Sequence, residues 1–357
     1  NFVKVRVRSD RTPETGDKFA SIDKNHDILT TNGWIKVEDL TLEHKVATLD
    51  KDGNLVYHFP THVYKYKNPW GKMYSLKSQQ VEITATPNHR MWIKLRSRRD
   101  GKEYLDNFQF MTAEECFGKR LKYRKNADNF ICDEYLDEFE IEGKTYNLQD
   151  WLLFTGIWYA EGCVTGGYMN ICGHKQRVKD ALNEILPRMK IEYKYRKCGT
   201  TNNDDIVIIK DKDIVEYFKP LSVGAINKKL PEWVWNLRTD DCKILIEGLM
   251  LGDGYKTKSG TYLYYTSSDK LGDDISRLAL HAGWSANIRK RKDMEDGTTF
   301  VIRGKEYKRN ADALEITINR TKNEPSVNHG HVKEQNAQTE EWIEFDDYVY
   351  CCSVPNE

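Results

Sequence analysis

The chain has 357 residues, enough for two or three domains that each bury a hydrophobic core. Basic and acidic residues both number 55, so any nucleic-acid site must come from a local basic patch rather than from net charge. The eight cysteines show no regular C-x-x-C pairing, which argues against a disulfide framework or zinc ribbon and favours an intracellular location. No apolar run could span a bilayer or act as a signal stretch, so we expect a soluble protein without a membrane partner.

The first twenty residues differ in character from those that follow. VKVRVR, over residues 3–8, alternates as a β-strand does, and RTPETGDK, over residues 11–18, is rich in turn-forming residues. The run leading into GDKFAS resembles the second-largest subunit of DNA-dependent RNA polymerase II. That resemblance implies that residues 1–20 are a host-protein segment and that a junction lies between Ala20 and Ser21.

From Ser21 to residue 125 the sequence predicts short strands joined by tight turns, and hence a compact β domain. An Asn-Gly pair at 32–33 and an Asp-Gly pair at 52–53 are strong hairpin signals between β-forming runs. Further along, Thr86 and His89 mark a T-x-x-H turn after a predicted strand. Taken alone, such a turn most often carries a solvent-exposed histidine.

A host-like leader, a β-rich unit starting at a hydroxyl residue and a T-x-x-H turn at this distance together resemble the splicing domain of inteins, the Hint fold. The resemblance implies that Ser21 attacks the carbonyl of Ala20 and converts this peptide bond into an ester, without a cofactor. His89 would protonate the departing amide nitrogen, while Thr86 and Asn88 would donate hydrogen bonds that polarise the scissile carbonyl. Most family members begin with cysteine, a better nucleophile at neutral pH, so Ser21 is either the natural residue or a replacement that slows the first step.

Two apolar runs farther on share one pattern: FTGIWYAEG over residues 154–162 and IEGLMLGDG over residues 246–254. Each has two small residues four positions apart, which on a helix share one face and allow close helix packing. The small residues are Gly156 and Ala160 in the first run, and Gly248 and Gly252 in the second. Each run ends in an acid followed by glycine, so we expect Glu161 and Asp253 side by side at helix ends, where glycine lets the chain turn away.

Both runs are followed by a strand, an amphipathic helix and a basic strand, which indicates an internal repeat of about 92 residues. With INKKLPEWVWNL ahead of the second run, this constellation resembles the LAGLIDADG homing endonucleases, particularly those inserted in inteins. The resemblance implies cleavage of double-stranded DNA at the uninterrupted insertion site of the host gene, with Mg²⁺ held by Glu161 and Asp253. Lys228 or Lys229 would lie near the scissile phosphates. Glutamate replaces the commoner aspartate at position 161, which puts full activity in doubt.

The family reads DNA with strands in the major groove, so the basic strand of each repeat supplies candidate contacts. They are Lys194, Arg196 and Lys197 in the first repeat and Arg289, Lys290, Arg291 and Lys292 in the second. Most would hold phosphates, so affinity would fall steeply with salt. The alternative is that these residues are ordinary solvated faces.

Near the end of the sequence, VYCCSV over residues 349–354 resembles the intein strand whose usual pattern is V-Y-D-L-T-V. Cys351 takes the aspartate position, which in that family couples the first cleavage to later steps; a buried structural cysteine is the alternative. The resemblance implies a further strand, a His-Asn pair and a downstream host residue. Without that asparagine we expect only ester formation and cleavage on the N-terminal side.

The predicted fold is therefore multidomain: an all-β, horseshoe-like Hint domain in two pieces and an α+β, pseudo-dimeric LAGLIDADG domain between them, with host segments acting in cis. The expected boundaries are 1–20 for the host segment, 21–125 and 341–357 for the splicing domain, 126–146 for an acidic connector with a small strand pair, 147–320 for the endonuclease and 321–340 for a flexible linker. Two alternatives stay open. One is splicing with an inactive endonuclease, and the other is a nuclease or RNA maturase whose β-rich arm does not splice, leaving Ser21 and His89 dispensable.

Overall fold

The computed structural model describes residues 20–99, 102–105, 107–197, 205–302, 304–328 and 338–355. The predicted host segment lies outside these ranges except for Ala20. The chain divides into two compact units: unit 1 holds the described residues up to Ile131 and from Thr321 onward, and unit 2 spans Cys132–Arg320. Within the described ranges, no helix is both long and apolar enough to cross a bilayer.

The helices are α1 (Ala113–Cys116), α2 (Leu148–Glu161), α3 (Gln176–Arg188), α4 (Lys212–Phe218), α5 (Thr239–Asp253) and α6 (Asp269–His281). The strands up to residue 131 are β1 (Ile22–Asp23), β2 (Asp27–Thr30), β3 (Gly33–Lys36), β4 (Val46–Leu49), β5 (Leu55–His58), β6 (His62–Lys67), β7 (Lys72–Lys77), β8 (Glu82–Ala85), β9 (Arg90–Arg99), β10 (Lys102–Leu105), β11 (Gln109–Thr112) and β12 (Leu121–Tyr123). Those of unit 2 are β13 (Phe139–Ile141), β14 (Lys144–Tyr146), β15 (Gly162–Thr165), β16 (Tyr168–Cys172), β17 (Tyr193–Lys197), β18 (Asp205–Ile209), β19 (Gly254–Lys256), β20 (Tyr262–Thr266), β21 (Ser285–Lys290), β22 (Thr299–Ile302), β23 (Lys305–Lys308) and β24 (Leu314–Asn319). The last strands are β25 (Ser326–Val327), β26 (Thr339–Glu344) and β27 (Tyr348–Ser353).

Unit 1 is built mainly of short antiparallel strands. Its largest sheet has the order β26-β7-β8-β1-β27-β6 and so joins strands from both ends of the chain. A second sheet runs β3-β2-β4-β5, and a third runs β10-β9-β12-β25 with β11 also paired to β9. Hairpins form at both predicted turns, where Gly33 and Gly53 adopt positive φ, which glycine tolerates without steric cost. Among the described residues, the one α-helix of this unit is the single turn α1, and Val37–Asp39 form a 3-10 turn.

The stretch predicted as a flexible linker, 321–340, is partly ordered. Residues 329–337 lie outside the described ranges. Before them, β25 pairs with β12 and Glu324 accepts an ion pair from Lys94 at 2.8 Å. After them, Thr339 begins β26, which pairs with the whole of β7. The polar composition concealed this order because strand pairing and ion pairs, together with the buried Val327, hold the described part of the segment.

Unit 2 contains one arrangement twice, a helix, two strands, a helix and two strands. The first copy is α2-β15-β16-α3-β17-β18, and the second is α5-β19-β20-α6-β21-β24 with the hairpin β22–β23 inserted. The two sheets have equivalent orders, β15-β16-β18-β17 and β19-β20-β24-β21. The structure therefore contains the internal repeat, with two strands wherever the sequence revealed one.

The segment predicted as a connector, 126–146, belongs to both units rather than standing apart. Its residues up to Ile131 lie in unit 1, whereas the hairpin β13–β14 packs into the core of unit 2. Phe139 stacks on Trp151 of α2 with ring centroids 4.4 Å apart. The acidic surface residues of the hairpin masked the alternate apolar side chains that make this contact.

Candidate active sites

The first site lies in unit 1 around the predicted scissile bond. The Ser21 N–H donates to Thr86 Oγ1 at 2.8 Å, and the Thr86 N–H donates back to the Ser21 carbonyl at 2.9 Å. Ile22 pairs with Tyr350 of β27, so the antiparallel register continued by one residue sets Ser21 opposite Cys351. Strand pairing thus gathers residues from three distant parts of the sequence.

Thr86 contacts the scissile bond at its amide nitrogen. Its hydroxyl accepts from the N–H of Ser21 and lies 3.3 Å from the Ser21 carbonyl, to which it can donate. The reason is the sheet: β8 and β1 are neighbours, and Thr86 and Ser21 continue their register beyond Ile22 and Ala85. Thr86 therefore holds the amide nitrogen of the scissile bond, and its hydrogen bond to the Ala20 carbonyl stays a prediction.

His89 is buried in the same region. Its N–H donates to the Thr86 carbonyl at 3.0 Å, which closes the predicted turn. Only 3% of the residue is exposed, and burial together with the nearby charge of His26 lowers the pKa of His89 to about 4, although the backbone of Ala20 partly opposes this shift. The ring is neutral at neutral pH. The solvent-exposed alternative for this histidine is therefore wrong.

Three other groups belong to this site. Ser21 is fully buried, and its hydroxyl has no hydrogen-bond partner among the described residues. Burial raises the pKa of Cys351 to about 12, so this thiol stays protonated and differs in charge from an aspartate at the same place. Asn88 lies half-buried in the turn.

Sequence reasoning missed a polar pair beside this site. His26 Nδ1 and Asp23 Oδ1 are 2.5 Å apart, and His26 Nε2 accepts from the Thr84 N–H at 3.2 Å. When the ring is neutral, these two bonds place its proton on Nδ1. Burial alone would raise the pKa of Asp23, but the hydrogen bond and charge of His26 outweigh it and lower that pKa. No sequence motif marks either residue.

The second site is the seam between α2 and α5 in unit 2. A Cβ added to Gly156 would lie 2.6 Å from the Leu249 nitrogen and 2.7 Å from Gly248 Cα. A Cβ on Gly248 would lie 2.6 Å from the Leu153 carbonyl oxygen. The helix backbones therefore touch, as the spacing of small residues predicted.

The glycines that follow the two helices have a different role from the one expected. Gly162 and Gly254 have extended backbones, with φ of −103° and −101°, rather than the left-handed conformation that usually ends a helix at glycine. A Cβ on Gly162 would overlap the indole of Trp158, and one on Gly254 would lie 2.5 Å from Met250 Cα. Lack of space, and not backbone conformation, requires glycine here.

The seam ends in the two predicted acids. Glu161 and Asp253 are the last residues of α2 and α5, with side chains 8% and 41% exposed. Lys175 Nζ donates to Glu161 Oε1 at 2.6 Å and to the Gly252 carbonyl at 2.7 Å, and it lies 3.6 Å from Asp253 Oδ1. Burial and the charge of Glu161 raise the pKa of Asp253, while Lys175 opposes this. The oxygen donors suit Mg²⁺, but Lys175 neutralises part of the same set.

Arg177 is a second cation that the sequence did not indicate. Its Nε donates to the Leu251 carbonyl at 2.6 Å, and its Nη2 donates to those of Gly252 and Gly254 at 2.9 and 2.8 Å. These bonds satisfy carbonyls at the C-terminal end of α5. Lys175 and Arg177 looked like the start of an amphipathic helix, so their reach to the second motif was not visible.

The two candidate lysines are placed differently. Lys228 Nζ donates to the Tyr159 carbonyl at 2.5 Å. Burial lowers the pKa of Lys228, and attraction to Asp253 and Glu161 opposes the shift. Lys229 is exposed. The structure therefore brings Lys228, and not Lys229, to the acids.

The basic residues of β17 divide between two faces. The Tyr195 hydroxyl donates to Asn183 of α3 at 2.6 Å, so this face of β17 lies against the helix. Strand alternation turns Lys194 and Arg196 to the opposite face and Lys197 toward the helix side. All three are exposed. Lys194 and Arg196 are thus the pair presented on the open face of the sheet.

The basic residues around β21 are mostly held in ion pairs within the chain. The pairs are Arg289 with Glu315 at 2.7 Å, Lys290 with Asp312 at 2.8 Å and Arg291 with Asp293 at 2.5 Å. Lys292 begins a short 3-10 turn. The Lys290–Asp312 and Arg291–Asp293 pairs are exposed, so phosphates could replace their acidic partners, whereas the Glu315 partner of Arg289 is buried.

Comparison with known proteins relates the chain to several others. It is 33% identical over 395 aligned positions to the "DNA-directed RNA polymerase subunit beta C-terminal section" of Stigeoclonium helveticum, covering 96% of this chain and 35% of that protein. It is 33% identical over 290 positions to the "ATP-dependent Clp protease proteolytic subunit" of Chlamydomonas moewusii, covering 74% and 28%. The chain thus spans about a third of the length of the curated relatives it matches.

Among solved structures, I-DmoI in complex with DNA and Mn is similar at 14% identity, covering 48% of this chain and 88% of that one, with a TM-score of 0.31. The family model described as "LAGLIDADG-like domain" matches residues 242–315, which run from within α5 to within β24. The matched region includes Asp253 and most of the second repeat. Residues 242–315 are therefore similar to LAGLIDADG-like domains.

Proposed function

We propose that the chain is an intein precursor in which unit 1 cleaves the Ala20–Ser21 peptide bond and unit 2 is an inserted homing endonuclease. The observation that supports this most strongly is the convergence of Ser21, Thr86 and Cys351 on neighbouring strands, with His89 buried at the end of the same turn. A non-splicing arm has no need of a buried serine hydroxyl without a hydrogen-bond partner, or of a buried neutral histidine in the turn that follows the neighbouring strand. Burying polar groups without hydrogen-bond partners costs free energy, so their presence here favours a functional role.

The first step can be balanced with groups of this chain. Ser21 Oγ attacks the carbonyl carbon of Ala20, the C–N bond breaks and an ester forms. The hydroxyl proton leaves Ser21 as the amide nitrogen gains one, and a neutral His89 can accept the first and supply the second. Thr86 Oγ1, bonded to the Ser21 N–H, keeps that nitrogen in place while it becomes an amine.

Cys351 has a different role from the family's aspartate. Its thiol is protonated, so it cannot serve as a charged base at neutral pH. The strand register sets it opposite Ser21 on the adjacent strand, where it can pack against the nucleophile and donate a weak hydrogen bond. Coupling of the first cleavage to later steps then depends on position rather than on charge.

The relatives support an insertion that occurs in different hosts. One is named as a polymerase subunit and the other as a protease subunit. The chain nevertheless matches each of them at 33% identity, over about a third of that relative's length. A shared segment in otherwise differently named proteins is what a mobile insertion produces. The polymerase relative and the leader resemblance favour a polymerase subunit as the host, with its segments acting in cis.

For unit 2 we propose site-specific cleavage of double-stranded DNA. Glu161 and Asp253 would hold Mg²⁺, which when bound stabilises charge on the reacting phosphate. Lys228 lies beside these acids, and Lys194 and Arg196 on the open face of the first sheet would contact the backbone of the DNA. Lys290 and Arg291 of the second basic group would exchange their exposed acidic partners for phosphates.

One observation favours a second candidate, a splicing protein whose endonuclease is inactive. Lys175 Nζ occupies the space between the two acids, bonded to Glu161 and close to Asp253. A cation fixed there competes with a metal ion for the same oxygens. DNA binding without cleavage is then the activity left to unit 2.

Splicing is tested by expressing the chain between its host segments, including the downstream junction, and measuring ligated product by mass spectrometry. Ligation should occur in wild type and stop in Ser21→Ala and His89→Gln. Absence of ligation and of N-terminal cleavage, even in Ser21→Cys, would leave the non-splicing arm as the better account.

DNA cleavage is tested with a duplex spanning the uninterrupted insertion site, in Mg²⁺, with a Glu161→Gln/Asp253→Asn double variant as control. Cleavage by wild type alone supports the active endonuclease. Equal results for wild type and double variant, with DNA still bound, support the inactive candidate.

A further inference from the structure

A second set of metal-binding side chains shares Glu161 with the acidic seam. Cys172 ends β16, and His174 follows two residues later before α3. One ligand atom from each of these three residues lies within 4.8 Å of the other two. Cys172 Sγ and His174 Nδ1 are 2.9 Å apart. Sulfur, nitrogen and oxygen donors together are not a magnesium set.

The pairing of β15 with β16 in the first repeat brings these residues together. Gly162 pairs with Ile171 where β15 and β16 begin their ladder. Continued by one residue, this register sets Glu161 opposite Cys172, so the end of α2 meets the end of β16. His174 is exposed, which leaves one side of the cluster open to solvent.

We propose that Glu161, Cys172 and His174 form a Zn²⁺ site with a water as fourth ligand. In tetrahedral zinc sites the Zn–S and Zn–N bonds are about 2.3 and 2.0–2.1 Å, which places sulfur and nitrogen about 3.6 Å apart. The observed 2.9 Å is the shorter separation of a hydrogen-bonded pair. A small rotation of the exposed imidazole opens the gap and replaces the shared proton with the metal.

Lys175 competes with the metal for Glu161. It now donates to Glu161 at 2.6 Å, but it also donates to the Gly252 carbonyl at 2.7 Å and lies 3.6 Å from Asp253. When Lys175 releases Glu161, its ammonium group therefore keeps the Gly252 carbonyl and Asp253 as partners. This consequence rests on the proposed endonuclease function: Zn²⁺ binds Glu161, which can then no longer hold Mg²⁺ together with Asp253, and so inhibits Mg²⁺-dependent cleavage.

The test uses Co²⁺ as a spectroscopic substitute for Zn²⁺ in the full chain, without DNA. Wild type should show a thiolate-to-cobalt absorption band that Zn²⁺ abolishes by displacement. Cys172→Ser should remove the band, and His174→Gln should weaken Co²⁺ binding by about tenfold or more. Cys163→Ser, a matched control on the neighbouring strand β15, should keep it, and Lys175→Met should tighten binding.

Absence of the band in wild type, or its survival in Cys172→Ser, would overturn the proposal. Circular dichroism establishes that each variant is folded, and the exposed position of His174 gives a second variant that does not disturb packing. Because the band is recorded without DNA, it is independent of the endonuclease. A band with no cleavage under any condition would support the zinc site and contradict the active endonuclease.

Discussion

Replacing Gly156 with alanine tests whether backbone contact holds the two repeats together. The added Cβ would lie 2.6 Å from the Leu249 nitrogen and 2.7 Å from both the Cα and the carbonyl carbon of Gly248. These are backbone atoms of a second helix, and they cannot rotate aside. The helices must separate locally, which weakens the packing on both sides of the seam.

The magnitude follows from two opposing effects. Alanine is preferred over glycine inside a helix by about 0.5–1 kcal/mol. Overpacking a rigid core costs about 1–3 kcal/mol, and backbone overlap belongs at the upper end. The net expectation for Gly156→Ala is therefore a loss of about 2 kcal/mol in the stability of unit 2.

Gly272→Ala in α6 is the matched control. Its Cβ would lie 3.1 Å from Leu314 Cδ1, the mobile end of a side chain, so the helix preference should offset the contact. Hydrogen exchange of α2 and α5 peptides measures unit 2 separately from unit 1. Exchange from global opening should be about 30-fold faster in Gly156→Ala and nearly unchanged in Gly272→Ala. Equal exchange in Gly156→Ala and wild type would refute close backbone packing.

Three further outcomes follow from the two sites. Unfolded His89 takes up a proton near pH 6.5, whereas the folded ring does so only near pH 4, so unit 1 should lose about 2 kcal/mol between pH 7 and 5. His89→Gln should abolish that loss, as hydrogen exchange of the β8 and β9 peptides measured across a denaturant series would show. Thr86→Val removes the acceptor of the Ser21 N–H and should destabilise unit 1 by about 1–3 kcal/mol while slowing N-terminal cleavage, as timed electrophoresis would measure. Lys175→Met frees Glu161 and should raise Mn²⁺ affinity about tenfold by calorimetry; unchanged affinity would mean that the lysine does not compete.

Local spacing predicted the central seam well. Small residues four apart specify a helix face by geometry alone, so the sequence was enough to assign Gly156 and Gly248 to a helix contact. The same spacing placed Glu161 and Asp253 together, because each acid follows its small residues by a fixed number of positions. A repeated pattern contains this information within a few residues.

Contacts across the sheet and between repeats could not be predicted in this way. The register sets Cys351 opposite Ser21 only because β27 pairs with β1, and this pairing is absent from any local window of the sequence. Lys175 and Arg177 read as an ordinary helix start, yet they bind the end of α5. Whether Lys228 or Lys229 lies near the acids depends on the backbone conformation at these two positions, which the fold determines and the local sequence does not.

The central claim, that the Ala20–Ser21 bond rearranges to an ester, is tested most directly with hydroxylamine, which cleaves esters far faster than peptide bonds. Treatment of the purified chain at neutral pH, followed by intact mass spectrometry, should release a fragment ending at Ala20 as its hydroxamate. Ser21→Ala should release none, and His89→Gln should release much less. No fragment from wild type, and none from Ser21→Cys treated with thiol, would contradict the account.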